Sequence, residues 1–138
     1  MKKSIIKSIR ILPNDKKTFP KENDFQYFIE YVLKSRNGYY YTQSSLMKCQ
    51  LPTLVLFQYN GMIRAIGILV DIAKTKCFDE IGNSYSGYYQ FDINSLHFLI
   101  NPIGKLEMKT IYPIFKNFSQ AKQNIDISYL DEIINLLK

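Results

Sequence analysis

The sequence is poor in the residues that most often carry catalysis and bind metals. It has one histidine and two cysteines, whereas a structural zinc site takes four Cys or His ligands. His97 lies among apolar residues in a predicted strand, and neither Cys49 nor Cys77 has metal-ligand spacing. We therefore expect no metal and no cofactor, and we interpret the cysteines as reduced structural thiols.

Glycine loops and converging acids are missing as well. The six glycines never take the spacing of a P-loop or a dinucleotide fingerprint. The acidic pairs Asp79-Glu80 and Asp131-Glu132 are adjacent residues, which point apart on a strand and about 100° apart on a helix. Asp71 and Lys74 miss by one residue the acidic-x-lysine spacing of a nuclease-like cluster. These absences favour a binding protein over an enzyme.

Long apolar runs are also absent. None approaches the ~20 residues of a membrane helix, and Lys7 and Arg10 interrupt the amino-terminal apolar residues, so no signal-peptide core forms. We expect a cytoplasmic protein that has no membrane partner. With 138 residues, 46% apolar and 22% charged, the composition predicts one globular domain spanning residues 1–138.

Positive charge is concentrated at the amino end. Residues 1–22 hold seven basic and two acidic side chains, so their net charge is 7 − 2 = +5, out of +6 for the whole chain. Such a segment can attract phosphates by releasing counterions, or it can form a solvated surface, and both interpretations stay open. The basic residues are Lys2, Lys3, Lys7, Arg10, Lys16, Lys17 and Lys21.

The most apolar stretch, residues 54–72, predicts a central β-hairpin. Asn60-Gly61 is a preferred two-residue turn of type I′. A two-residue loop would place Phe57 opposite Arg64 and Val55 opposite Ile66. Arg64 is then either a phosphate or base contact, or a cation stacked on Phe57.

The remaining patterns alternate between strands and helices. Apolar residues recur at helical spacing through 25–34, and Asn37-Gly38 ends that helix. We predict further strands at 4–12, 39–41, 88–93 and 96–100, a helical turn at 105–111, and a final helix capped by Ser128. This order predicts an α+β fold, a small curled mixed β-sheet or partial β-barrel flanked by helices.

Tyrosines are abundant, and many lie in two segments on either side of the hairpin. Eleven occur in the chain. If the sheet curls, the two segments meet, and tyrosine rings could stack on a base while amides and hydroxyls read its edge; alternatively the tyrosines are ordinary half-buried strand residues. The candidate nucleic-acid-binding residues are Lys7, Arg10, Arg36, Tyr39, Tyr41, Gln43, Ser44, Tyr59, Arg64, Ser84, Tyr85 and Tyr88.

Several stretches resemble the EVE and ASCH branch of the PUA-like superfamily. The hairpin LVLFQYNGMIRAIGIL, then YSGYYQFDINSLHFL, and finally FSQAKQNIDISYLDEI carry the resemblance, which covers residues 39–138. Residues 55–59 match the family's "vlFy" strand and 63–67 its "IxGxG" strand, although Leu69 stands where the later glycine would fall.

The resemblance implies a curled β-barrel with flanking helices and a pocket for a nucleotide or a flipped base. Similar stretches occur in DNA-recognition modules of bacterial restriction enzymes. Such pockets commonly use tryptophan, and because this chain has none, its pocket would be built from tyrosine and phenylalanine. We therefore expect a DNA-binding recognition domain, with a larger restriction-type protein as a further partner. The alternative is a protein-interaction module or small inhibitor encoded by a mobile element.

Overall fold

The fold is a mixed α+β arrangement, seen in a computed structural model that describes residues 5–118 and 123–137. A helix begins as α1 (Glu22–Tyr27), widens into a π-helical turn (Phe28–Val32) and ends as α2 (Leu33–Ser35). Two further helices, α3 (Lys105–Ile111) and α4 (Leu130–Leu136), follow in the second half of the chain. Within the described ranges, no helix is long and apolar enough to cross a membrane.

Nine strands accompany these helices in the described residues. They are β1 (Ser8–Asn14), β2 (Tyr39–Thr42), β3 (Thr53–Tyr59), β4 (Met62–Ala73), β5 (Cys77–Phe78), β6 (Ser84–Tyr85), β7 (Gly87–Phe91), β8 (His97–Ile103) and β9 (Asn124–Ile125). The predicted strands and helices are therefore present, α3 with the predicted bounds and the strands with shifted ends. The β5–β6 hairpin was not predicted, because its two-residue strands lie in a polar stretch without a periodic apolar pattern.

Seven of the strands form one open sheet. Its order is β2-β7-β4-β3-β1-β9, and β8 also pairs with β4. β1 runs parallel to β3, and the remaining pairs are antiparallel. The sheet is curled, because the hydroxyl of Tyr40 on β2 donates to the side-chain oxygen of Asn14 on β1 at 2.7 Å, although three strands separate β2 from β1 in the sheet. The predicted α+β class with a mixed, incompletely closed sheet is confirmed.

The central hairpin has the predicted turn and a different register. Asn60 and Gly61 both have positive φ, at 52° and 76°, as a type I′ turn requires. Beyond the turn the register shifts, so that Phe57 lies opposite Ala65 instead of Arg64, and the predicted pairing is wrong. The cause is a β-bulge at Arg64, which takes this cation out of a position facing a core phenylalanine.

The same shift changes every predicted pair further from the turn. Val55 lies opposite Gly67 and Leu56 opposite Ile66, one position later than a regular two-residue hairpin would give. Because side chains alternate along a strand, the residues after the bulge also change the face on which they lie. Both faces are apolar, so either register would bury the hairpin, and the turn alone could not decide between them.

Helices cover both faces of the sheet. On one face Phe57 and Ala65 pack in a core with Phe25, Ile29 and Leu33 from the first helical segment. On the other face Leu54, Leu56 and Ile63 share a core with residues of α3 and α4, among them Met108 and Ile133. The hairpin is therefore central, as predicted, and each face of the sheet meets its own set of helices.

The two helix ends show how local chemistry places these segments. Asn37 and Gly38 have φ of 56° and 86°, and the Gly38 N–H donates to the Leu33 carbonyl at 2.7 Å, which closes the helix as predicted. At the final helix the prediction of a Ser128 cap is wrong. Asp126 instead accepts a hydrogen bond from the Ser128 backbone N–H at 2.9 Å, because a short 3-10 turn precedes α4.

Candidate nucleic-acid interface

The two tyrosine-rich segments meet as neighbouring strands. β2 pairs with β7 in antiparallel register, with Tyr40 opposite Tyr89 and Tyr41 opposite Tyr88. Beyond the strands, the Gln43 side-chain amide donates to the Ser84 carbonyl at 3.0 Å. The segments before and after the hairpin thus form one continuous surface.

One side of this surface is a cluster of stacked tyrosines, which we name the outer tyrosine face (Tyr39, Tyr41, Tyr85 and Tyr88). The Tyr39 and Tyr41 rings stack at 6.4 Å, and Tyr41 stacks on Tyr85 at 5.5 Å with 27° between the rings. Tyr88 meets Tyr39 edge to face at 4.9 Å. The ring faces are therefore already in contact with one another.

Two carboxylates accept hydrogen bonds from the outer tyrosine face. The hydroxyls of Tyr85 and Tyr88 donate to Asp79 and Asp71 at 3.0 and 3.1 Å. Burial, followed by these hydrogen bonds and charges, raises the pKa of both tyrosines. Because carboxylates repel phosphates, this face is poorly suited to a nucleic-acid backbone.

Arg36 is already paired at this face. Its guanidinium lies 4.8 Å from the centre of the Tyr41 ring and forms two hydrogen bonds to the Glu80 carboxylate, at 2.7 and 2.8 Å. The hydrogen bond from Arg36 lowers the pKa of Glu80. The pair joins the β5–β6 hairpin to the end of the first helical segment, so the charge of Arg36 is largely compensated.

A cleft opens beside this face, between the end of β1 and the free edge of β2. We name it the β1–β2 cleft; its volume is about 430 Å³ and it is lined by Phe19, Phe28 and Tyr40 together with polar residues. Phe28 meets Tyr40 edge to face at 5.6 Å and lies 4.9 Å from Phe19. The polar and charged residues that line it are Asn14, Asp15, Thr18, Arg36, Tyr41, Thr42, Gln43, Ser44 and Tyr85.

Asn14 fixes the position of the Tyr40 ring in the cleft. Asn14 is buried, and its amide donates to the carbonyls of Leu12 and Gln58 at 3.0 and 3.3 Å. This leaves its oxygen to accept from the Tyr40 hydroxyl. Burial raises the pKa of Tyr40, so the hydroxyl stays protonated and remains a donor.

The backbone of Tyr41 faces away from the rest of the sheet. The carbonyls of Gly38, just before β2, and of Thr42, at its end, accept from the N–H groups of Phe91 and Ser86, so alternate residues of this segment point their backbone groups toward β7. In an antiparallel pair the residues between them direct their backbone groups the other way. The N–H and C=O of Tyr41 therefore lie at the cleft side of β2, where they can bind the edge of a planar ligand.

The predicted roles of Tyr59 and Arg64 are corrected, because both side chains have partners elsewhere in the fold. Tyr59 is 1% exposed, stacks on Phe25 at 4.9 Å, and donates its hydroxyl to the Phe19 carbonyl at 2.5 Å. It is a core residue and cannot stack on a base. Arg64 lies 4.6 Å from the Phe98 ring and pairs with Glu22, so the predicted stacking on Phe57 is wrong and the side chain holds the start of α1.

The basic amino-terminal residues divide between the two ends of β1. Lys7 is exposed just before the strand, about 20 Å from Asn14 at the other end of a seven-residue strand. Arg10 lies within the strand and donates to the Lys48 carbonyl at 2.9 Å. Lys16 and Lys17 follow β1 beside the cleft, whereas Lys2 and Lys3 lie outside the described residues.

Of the remaining predicted residues, Gln43 and Ser44 line the cleft itself. Ser84 borders an adjoining basic pocket. The residues that sequence reasoning missed are Asn14, Phe19, Phe28 and Tyr40. Strand alternation gave one signal, because it placed Tyr40 on the side opposite Tyr39 and Tyr41.

The residues considered for catalysis are dispersed. His97 is exposed on β8, Asp71 accepts from Tyr88, and Cys49 and Cys77 are half-buried free thiols. Among residues 5–118 and 123–137, no group of three or more His, Cys, Asp or Glu side chains could hold a metal ion.

Comparison with known proteins finds similar solved structures and no matching sequence family. Neither a protein-family model nor a curated protein sequence matches the chain. The YTH domain of Zygosaccharomyces rouxii MRB1 protein, solved in complex with N6-methyladenosine RNA, aligns with 97% of this chain and 94% of its own, with a TM-score of 0.56 and 15% identity. The Pho92 YTH domain in complex with m6A aligns with 97% of this chain and 93% of its own, with a TM-score of 0.48 and 15% identity.

The first of these similarities shows that the chain shares the mixed α+β fold of a YTH domain. At this level of identity the similarity concerns the fold alone. The relation to the EVE and ASCH branch of the PUA-like superfamily stays a prediction.

Proposed function

We propose that this chain is a recognition domain for single-stranded nucleic acid, and that one base enters the β1–β2 cleft. The observation that carries the proposal is the cleft itself, which combines aromatic rings with convergent polar groups in about 430 Å³. This volume lies within the ~300–1,000 Å³ of small-molecule pockets. Single-stranded bases are typically held by aromatic contacts and by hydrogen bonds to their edges.

The cleft offers both kinds of contact. Phe28 and Tyr40 supply ring surface, and Tyr40 is held in place by Asn14. The N–H donor and C=O acceptor of Tyr41 can pair with the edge of a base, and Gln43 and Ser44 line the same space. This arrangement favours a binding role over an enzymatic one.

RNA is the ligand that we favour. The sequence predicts DNA, yet the YTH domain of Zygosaccharomyces rouxii MRB1 protein, which shares this fold, was solved in complex with N6-methyladenosine RNA. Because this chain has no tryptophan, a methyl group on the bound base would contact tyrosine and phenylalanine rings. Oligonucleotides with and without N6-methyladenosine, in RNA and in DNA, test these alternatives together.

The test is a fluorescence anisotropy titration with labelled single strands of about ten nucleotides. Wild-type protein should bind at ~50 mM salt, and affinity should fall as salt rises. The double variant Gln43→Ala/Ser44→Ala should weaken binding about 30-fold, since two lost polar contacts together cost on the order of 2 kcal/mol.

The matched control is Thr110→Ala/Asn135→Ala, which removes two exposed polar side chains from α3 and α4. It should leave the affinity unchanged. Absence of wild-type binding to every oligonucleotide at ~50 mM salt contradicts the proposal. An equal loss in the control also contradicts it, because the polar residues of the cleft would then have no special part.

A further inference from the structure

A second, basic pocket adjoins the β1–β2 cleft. It has a volume of about 650 Å³ and is lined by the loop after β4 and by the strand that leads into β7, with Lys74, Lys76, Ser84 and Ser86 among its residues. We name it the lysine pocket. Gln43 and Tyr85 line both this pocket and the cleft, so the two spaces are neighbours.

The side chains of the lysine pocket suit a phosphate group. Lys74 and Lys76 are exposed, and no acidic side chain is among the residues that line the pocket. The Gln43 amide donates one of its two hydrogens to the Ser84 carbonyl and keeps the other for a phosphate oxygen, whereas the single Ser86 hydroxyl hydrogen is donated to the Thr42 carbonyl.

The outer tyrosine face has the opposite character. It carries Asp71 and Asp79 at its hydroxyls and Glu80 beside Arg36. Two surfaces of different charge therefore border the cleft and share Tyr85: one carries carboxylates, and the other is lined by lysines. Like-charge repulsion on one side and attraction on the other direct the backbone toward the lysine pocket.

We propose that the lysine pocket binds the backbone phosphates of nucleotides next to the base held in the cleft. This inference rests on the proposed function. It assigns the phosphate contacts to Lys74 and Lys76 rather than to Lys7 and Arg10, which lie toward the far end of β1 or bind the Lys48 carbonyl. The ligand of the pocket is thus the phosphodiester of a single strand.

The experiment measures affinity against salt for wild type and for Lys74→Gln/Lys76→Gln, with the same labelled RNA. Each phosphate contact on a single strand contributes about −0.7 to the slope of log affinity against log salt, so loss of two contacts should reduce the slope by about 1.4. The same relation predicts roughly tenfold weaker binding at ~200 mM salt and roughly 60-fold weaker binding at ~50 mM salt.

Two further variants separate the location of the charge from its amount. Lys109→Gln/Lys116→Gln removes two exposed lysines from the side of the molecule where α3 packs, and it should change the slope much less. Lys74→Arg/Lys76→Arg keeps both charges and should retain the wild-type slope. A nucleoside without phosphate should bind the glutamine variant as it binds wild type.

The outcomes distinguish the two proposals. If wild type binds RNA and Lys74→Gln/Lys76→Gln has the wild-type slope, the lysine pocket is not a phosphate site, whereas the proposed function stands. The same conclusion follows if Lys109→Gln/Lys116→Gln reduces the slope equally. If wild type binds no strand, both proposals are wrong.

Discussion

The hydrogen bond between Tyr40 and Asn14 provides a direct test of how the sheet curls. The change Tyr40→Phe removes only the hydroxyl and keeps the ring contacts to Phe28 and Tyr89. It leaves the side-chain oxygen of Asn14, a buried residue, without its donor at 2.7 Å. An unsatisfied buried acceptor costs about 1–3 kcal/mol, so the free energy of unfolding should fall by that amount.

The assay is urea unfolding followed by circular dichroism, with Tyr31→Phe as the matched control. Tyr31 is 61% exposed, and loss of its hydroxyl should change the free energy of unfolding by less than about 0.5 kcal/mol. In an Asn14→Ala background, Tyr40→Phe should cost about 1 kcal/mol less than in wild type, because the partner is already gone. Equal effects of Tyr40→Phe and Tyr31→Phe would show that the hydrogen bond to Asn14 does not stabilise the fold.

The same hydroxyl predicts a pH dependence. Burial raises the pKa of Tyr40 in the folded state, while in the unfolded chain a tyrosine titrates near pH ~10. Its contribution to stability is therefore complete below pH ~10 and is lost as pH rises above that value toward the folded pKa. Wild type should lose stability more steeply with pH in this alkaline range than Tyr40→Phe does.

Three further predictions concern the surroundings of the site. Gly38→Ala should destabilise the fold by more than about 2 kcal/mol in urea unfolding, since a Cβ at this position would lie 1.9 Å from a carbonyl oxygen of β7. Gly82 has the same φ, and a Cβ there would meet nothing within 4 Å. The control Gly82→Ala should therefore cost only ~1 kcal/mol. Arg36 lowers the pKa of Glu80 in the folded state. The small stabilisation by this exposed pair should therefore be present above the unfolded pKa of ~4.3 and be lost as pH falls through the folded pKa. Glu80→Gln should abolish this pH dependence in acid unfolding. Lys7→Gln should leave RNA affinity within about twofold in anisotropy titrations, and a large loss would show that the strand reaches the far end of β1.

Local sequence signals were sufficient for the elements that depend on local chemistry. Asn60-Gly61 specifies its turn because both residues accept positive φ. Asn37-Gly38 ends a helix for the same reason. The apolar spacing through 25–34 places that helix because one stripe of it is buried, including Phe25, Ile29 and Leu33.

Features that depend on distant contacts were not predictable in this way. At the bulge, Arg64 contacts Glu22 and Phe98, which lie elsewhere in the chain. No local sequence pattern predicts this bulge. The cleft arises because Asn14 and Tyr40, which are 26 residues apart, meet only when the sheet curls.

The site of positive charge illustrates the same limit. A charge count along the sequence pointed to the amino end, because the rest of the chain is nearly neutral. In the folded chain, Asp71 accepts a hydrogen bond from Tyr88, whereas Lys74 lines the lysine pocket. The charge count therefore did not find the lysines that border this pocket.

Amide chemical-shift mapping shows directly whether a base enters the β1–β2 cleft. An isotope-labelled protein would be titrated with a single-stranded RNA of about ten nucleotides and followed by two-dimensional nuclear magnetic resonance. If a base enters the cleft, the largest shifts should fall on the backbone amide of Tyr41 and the side-chain amide of Gln43, while α3 and α4 stay unchanged. Shifts confined to α3 and α4, or no shifts at a saturating RNA concentration, would contradict this proposal.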